Sequence, residues 1–127
     1  MSDIEDRADV EQLINHFYER VFQDDLILTF FTEVVSLNRD VHLPILYDFW
    51  ESLLFGKVKY KGNPMFKHIE LHRKKSLKTI HFNRWLNLWE QSVHQNFEGP
   101  IAEKAIDKAK ELGILMQLKI KQASEKG

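Results

Sequence analysis

The sequence contains no cysteine. Disulfides, thiolate nucleophiles and thiolate metal ligation are therefore excluded. It also lacks any run of about 18 apolar residues, so no segment reads as a membrane-spanning helix. Neither sign of charge dominates: the net charge is −1 with histidines neutral. No strong field draws the chain to nucleic acid or to an anionic membrane. Glycine-rich phosphate loops and a G-x-S-x-G nucleophile elbow are missing, and Ser36, Ser52, Ser76 and Ser92 stand in no catalytic pattern. There are no internal repeats and no low-complexity tracts. The opening MSDIEDRADVEQ is acidic and lacks the apolar core of a signal peptide, so the expected compartment is the cytoplasm.

What is present is a chain of single-domain length, 127 residues, rich in rings: nine Phe and three Trp. A chain of this size buries roughly two-thirds of its unfolded surface, enough to fold without a metal. One domain over 1–127 is expected, with 121–127 (KQASEKG) a frayed end. Apolar residues recur at helical spacing throughout. Val10, Leu13, Ile14, Phe17 and Val21 form one stripe, with Tyr18 beside it; Ser2 or Asp3 is the expected cap, and Glu5 completes a Ser-x-x-Glu box. Gln23-Asp24-Asp25 breaks the pattern. LILTFF, at 26–31, reads as short helical turns, because no second strand candidate exists to pair with it.

Asn38 or Asp40 is expected to cap a helix whose face carries His42, Ile45, Leu46, Phe49, Trp50, Leu53 and Leu54. Pro44 is read as lying in its first turn and Gly56 just past its end. Then comes YKGNPMFKHIELH, residues 60–72, a Gly-Asn-Pro break followed by a short apolar segment with two histidines. Thr79 is the expected cap of the strongest stripe: Phe82, Trp85, Leu86, Trp89, Val93 and Phe97. Gly99-Pro100 marks a stop and a new start. The last helix sets Ile101, Ala105, Ala109, Leu112, Leu115 and Met116 on one side. The class is all-α.

Six histidines are candidates for chemistry. His68 and His72 share a helix face four residues apart, which suits zinc or copper, but HIELH is not H-E-x-x-H and no third ligand is evident. Glu90 and His94 do not make the paired Glu-x-x-His of a di-iron bundle. Taken singly, His42 reads as a helix-start histidine, His68 as a core-edge one, and the rings of 79–97 as packing. Taken together they suit a haem site. A tyrosine lies on the first amphipathic segment, a His and a Trp eight residues apart on the next, a Trp on the longest helix, and a histidine follows the break.

FYERVFQDD (17–25), HLPILYDFWESLLFG (42–56), YKGNPMFKHIEL (60–71) and HFNRWLNLWEQSV (81–93) resemble the truncated haemoglobins, and within them group III. The similarity covers about residues 10–95. The resemblance implies a globin-like, two-over-two helical sandwich around one haem b. By matching positions it implies His68 as the proximal iron ligand, with His72 one turn on as the alternative. It makes Tyr18, His42 and Trp85 the distal residues, and Phe31, Phe49, Trp50 and Phe66 the pocket walls. Implied partners are O2, NO, CO or similar small ligands, bound by a monomer or weak dimer at a five-coordinate or weakly six-coordinate iron. A phenol O–H and an indole N–H both donate, so O2 is expected to bind tightly and leave slowly. A redox enzyme on the same haem, an NO dioxygenase or peroxidase-like catalyst, stays open. It needs a separate reductase, because the chain has no flavin motif. A cofactor-free helical interaction protein is the remaining class.

Overall fold

The computed structural model describes residues 1–29, 39–56 and 78–125. Five helices run through them: α1 (Arg7–Val21), α2 (Asp25–Thr29), α3 (Arg39–Phe55), α4 (Thr79–Asn96) and α5 (Pro100–Glu125). No strand occurs among the described residues. α1 packs on α3 and α4 on α5, and these two pairs meet where α1 crosses α4 and α3 touches α5. The short α2 lies against α4.

α1 buries Val10, Leu13, Ile14, Phe17, Tyr18 and Val21, the expected stripe with the tyrosine included. Its cap differs from expectation. Asp6 is the N-cap and accepts from the Asp9 N–H, while Asp9 accepts from the Glu5 N–H. Asp3 is unavailable because it caps a different helix. Its carboxylate accepts from the N–H groups of Ile101 at 2.9 Å and Ala102 at 2.8 Å, two of the orphan donors that open α5. Gly99 makes that approach possible. Its φ is +143°, and a Cβ there would lie 2.6 Å from the Asp3 Cγ. Pro100 follows as the first residue of α5, where its missing N–H costs nothing.

LILTFF is helical as far as Thr29; Phe30 and Phe31 lie outside the described residues. In α3, Pro44 is not in the first turn, because the helix already starts at Arg39. It sits in the helix interior on the exposed side, where water can serve the carbonyl it leaves unpaired. The expected apolar face holds at Trp50 and Leu54, which are buried, but Ile45 points to solvent at 46% exposure. Gly56, at φ +73°, ends α3 as expected and donates its N–H to the Ser52 carbonyl. The Lys104 ammonium of α5 donates to the Leu54 carbonyl at 3.1 Å, meeting the negative end of the α3 dipole.

Lys78, not Thr79, takes the N-cap position of α4. The Thr79 hydroxyl is spent on Gln117 of α5, and the His81 Nδ1 accepts the Lys78 N–H instead. In α5 the buried stripe is Ala102, Ala105, Ile106, Ala109, Met116 and Ile120, so Leu115 falls outside it, beside the exposed Ile114 and Leu118. The small residues of its first half let α4 come close. α5 continues to Glu125, beyond the point where its apolar pattern fades.

Candidate functional site

The rings that the sequence singled out converge on two others, Phe17 and Trp89. Phe17 meets Tyr18 edge-on at 5.3 Å, Trp85 at 6.1 Å and Trp89 at 5.2 Å. Trp50 stacks on Trp89 with centroids 4.4 Å apart. The planes of Trp85 and Trp89 lie within 12° at 6.5 Å, one helical turn apart on α4. Edge-to-face and offset contacts of this kind each contribute about 0.5–1.5 kcal/mol beyond area burial. The cluster therefore fixes α1, α3 and α4 against one another.

The members differ in how far they are covered. Tyr18, Trp50 and Trp89 are buried, whereas Trp85 and Phe49 are half-buried. Trp89 directs its indole N–H inward, donating to the Ala105 carbonyl at 3.1 Å. Trp50 is held between Trp89 and an edge contact from Phe49 at 5.7 Å. Trp85 marks the margin of the cluster. Leu46, Phe49 and Leu53 of α3, with Trp85 and Leu86 of α4, pack against the core yet stay partly open. On α3 these three recur at i, i+3 and i+7, one face of the helix.

His42 lies in the first half of α3, but its side chain is outside the described residues. So are Phe31, Phe66, His68 and His72, the last three within the 57–77 segment. The described residues hold no group of three or more His, Asp or Glu side chains that suits a metal ion.

Polar contacts lock the helices that carry Tyr18 and Trp85. Just past α1, the buried Asp24 accepts from the N–H groups of Leu26 and Ile27 through Oδ1, capping α2. Its Oδ2 takes the Arg84 Nε–H at 2.5 Å. Arg20 reaches across from α1 to the Ser92 hydroxyl at 3.1 Å and to Gln95. Ser92, fully buried, also donates to the Leu88 carbonyl. At the other end of α1, Arg7 bonds Asp48 at 2.6 Å and lies 3.4 Å from the buried Glu51. The Asp48 hydrogen bond, with the nearby Glu51 and Glu11, raises the Arg7 guanidinium above its ordinary value. Burial pushes the Asp3 carboxyl up, but the N–H groups of Ile101, Ala102 and Ile4 outweigh it and leave Asp3 below the usual aspartate range.

Sequence reasoning passed over Ser92, Asp24 and Glu51. Ser92 stands in no motif, Asp24 reads as a break, and nothing in the sequence marks Glu51, between Trp50 and Ser52, as buried. The one available signal was position: Ser92 and Glu51 each sit directly beside a residue of an apolar stripe.

The donor set suits a haem pocket. A buried phenol and a half-buried indole stand on adjacent helices joined through one ring, beside a partly open apolar face on α3 and α4 of the kind a porphyrin covers. The comparisons with known proteins give the family and the fold. The model of the bacterial-like globin family matches residues 3–119. A group 3 truncated hemoglobin of Campylobacter jejuni is 27% identical over 88 residues, 67% of each chain. The crystal structure of group III truncated hemoglobin from Campylobacter jejuni aligns with a TM-score of 0.79 at 22% identity, covering 94% of this chain and 95% of that one. At that identity the likeness is one of fold.

Proposed function

The chain belongs to the bacterial-like globin family and has the fold of a truncated globin, and on that premise we propose that it binds haem b and holds O2 or a similar diatomic ligand tightly, releasing it slowly. The observation that carries this reading is the placement of Tyr18 and Trp85 on α1 and α4, both in contact with Phe17. Haem, when bound, supplies an iron that takes diatomic ligands.

The chain's own residues do the rest. His68 holds the iron through one ring nitrogen, with His72 the alternative. Tyr18 and Trp85 offer an O–H and an N–H donor to a ligand that gathers negative charge, and the family resemblance adds His42 to these distal residues. Phe49 and Trp50 wall the site on this reading, the resemblance adds Phe31 and Phe66, and a wall of rings excludes water so that each donor acts in a low dielectric. One such hydrogen bond contributes about 1–1.5 kcal/mol, or roughly tenfold in the rate of ligand release. Slow release suits sensing or ligand chemistry better than bulk delivery.

The test is spectroscopic and kinetic. The purified chain reconstituted with haemin shows a Soret band and binds CO when reduced, and Trp85→Phe speeds O2 release by about tenfold. His68→Ala loses the haem or changes its spectrum. A chain that stays colourless in excess haemin refutes the reading, and an unchanged spectrum in His68→Ala transfers the proximal role to His72.

A further inference from the structure

The Asp24–Arg84 contact joins the ends of the two helices that present Tyr18 and Trp85. Asp24 lies six residues beyond Tyr18, past the end of α1, and Arg84 immediately precedes Trp85. The Asp24 side chain is 4% exposed and both of its oxygens are engaged. Oδ1 takes the Leu26 and Ile27 N–H groups at 3.1 Å, and Oδ2 takes the Arg84 Nε–H at 2.5 Å. The acceptor is thus anchored to backbone before it meets the guanidinium. Residues in sequence are about 100° apart around a helix axis. Holding Arg84 to a fixed point therefore sets the rotation of the first turns of α4, and with it the direction of Trp85.

A tie between α1 and α4 themselves, Arg20 to Ser92, lies seven residues past Trp85. Trp85 lies in sequence between that tie and the Arg84 contact. The Arg84 side chain is 51% exposed but that of Asp24 only 4%, so losing Arg84 leaves a buried carboxylate with its two backbone donors alone, at a cost in stability. The contact bears on where Trp85 points as well as on stability.

We propose that Asp24 and Arg84 form a positioning clamp that sets the Trp85 indole relative to the Tyr18 phenol, and through that pair controls the rate of ligand release. This rests on the haem-ligand reading above. Neither residue touches the ligand; both act through the rotation of α4.

The test uses the haem-loaded chain, with Arg84→Gln, Arg84→Lys and Asp24→Asn. The readouts are the O2 dissociation rate, the Fe–CO stretching band of the CO form, and the urea midpoint. Arg84→Gln is expected to change O2 release by about threefold to tenfold, the worth of one distal hydrogen bond. It should also shift or broaden the Fe–CO band in a chain that still folds and loads haem, with a urea midpoint somewhat below wild type. Arg84→Lys keeps the charge and is expected to recover part of both changes. Asp24→Asn is expected to act in the same direction, and if it fails to fold, the half-exposed Arg84 variants decide. A folded, haem-loaded Arg84→Gln whose O2 release stays within about twofold of wild type, with an unmoved Fe–CO band, overturns the clamp. A wild-type chain with no Soret band overturns the globin reading instead, and the clamp with it.

Discussion

Removing the Asp3 carboxylate separates the N-terminal residues from the helix they cap. Asp3→Ala deletes the acceptor for the Ile101 and Ala102 N–H groups, which then have only water to turn to. Loss of an N-cap side chain costs about 0.5–2 kcal/mol. Loss of a charge at the positive end of a helix adds about 0.3–1 kcal/mol, weakened by salt because the site is only partly buried. A total of about 2 kcal/mol corresponds to roughly 6–10 °C in Tm for a chain of this size. Asp3→Asn keeps one acceptor oxygen and is expected to lose about half as much. The effect also depends on pH in a defined direction. The folded-state carboxyl lies below its ordinary value, because its three backbone donors outweigh burial. Its stabilisation is therefore complete above the unfolded value of about 3.9, and is lost as pH falls through the lower folded-state value. Urea titrations of wild type and Asp3→Asn at a series of pH values measure this. The gap between them is expected to be constant from neutral pH to about 4.5 and to narrow below. Equal midpoints at pH 7, or a gap that persists unchanged in acid, refute the capping role.

Two further changes test the frame of the site. Trp89→Phe keeps a ring but loses the hydrogen bond to the Ala105 carbonyl and part of the Trp50 stack. Its expected cost is about 2 kcal/mol in urea unfolding, below the range for truncation to alanine. Gly56→Ala meets no neighbouring atom among the described residues, but places a side chain at φ +73°. It is expected to cost about 1–2 kcal/mol through backbone strain alone, read from the urea midpoint without loss of helical circular dichroism.

Much of the fold was legible in the sequence because helical spacing writes itself locally. The α1 stripe, the stop at Gly56 and the Gly99-Pro100 joint all follow from the preferences of single residues and their near neighbours. Several errors fall where a residue's partner is distant in sequence. Asp3 was read as a cap for the helix just after it and instead caps one almost a hundred residues on. Thr79 was read as a cap and its hydroxyl is spent on Gln117. Leu115 was read as core because its spacing fits, yet Met116 and Ile120 set the buried phase of α5. Motif resemblance named Tyr18, Trp50 and Trp85 for the candidate site, and these three enter one ring cluster. No local pattern could show that Phe17 and Trp89 are the rings on which those three converge.

The sequence by itself determined the helical class, the absence of thiol chemistry, and the supply of aromatic and donor side chains from which a haem pocket can be built. These depend on composition and on intervals of three and four residues, which each helix reads alone. Tertiary structure decided which carboxylate caps which helix, which serine and glutamate are buried, and how Tyr18 and Trp85 stand to each other. Those outcomes depend on where α1, α3, α4 and α5 cross. The crossings are chosen by ring packing and by contacts such as Asp24–Arg84, formed between segments that are neighbours only after the chain has folded.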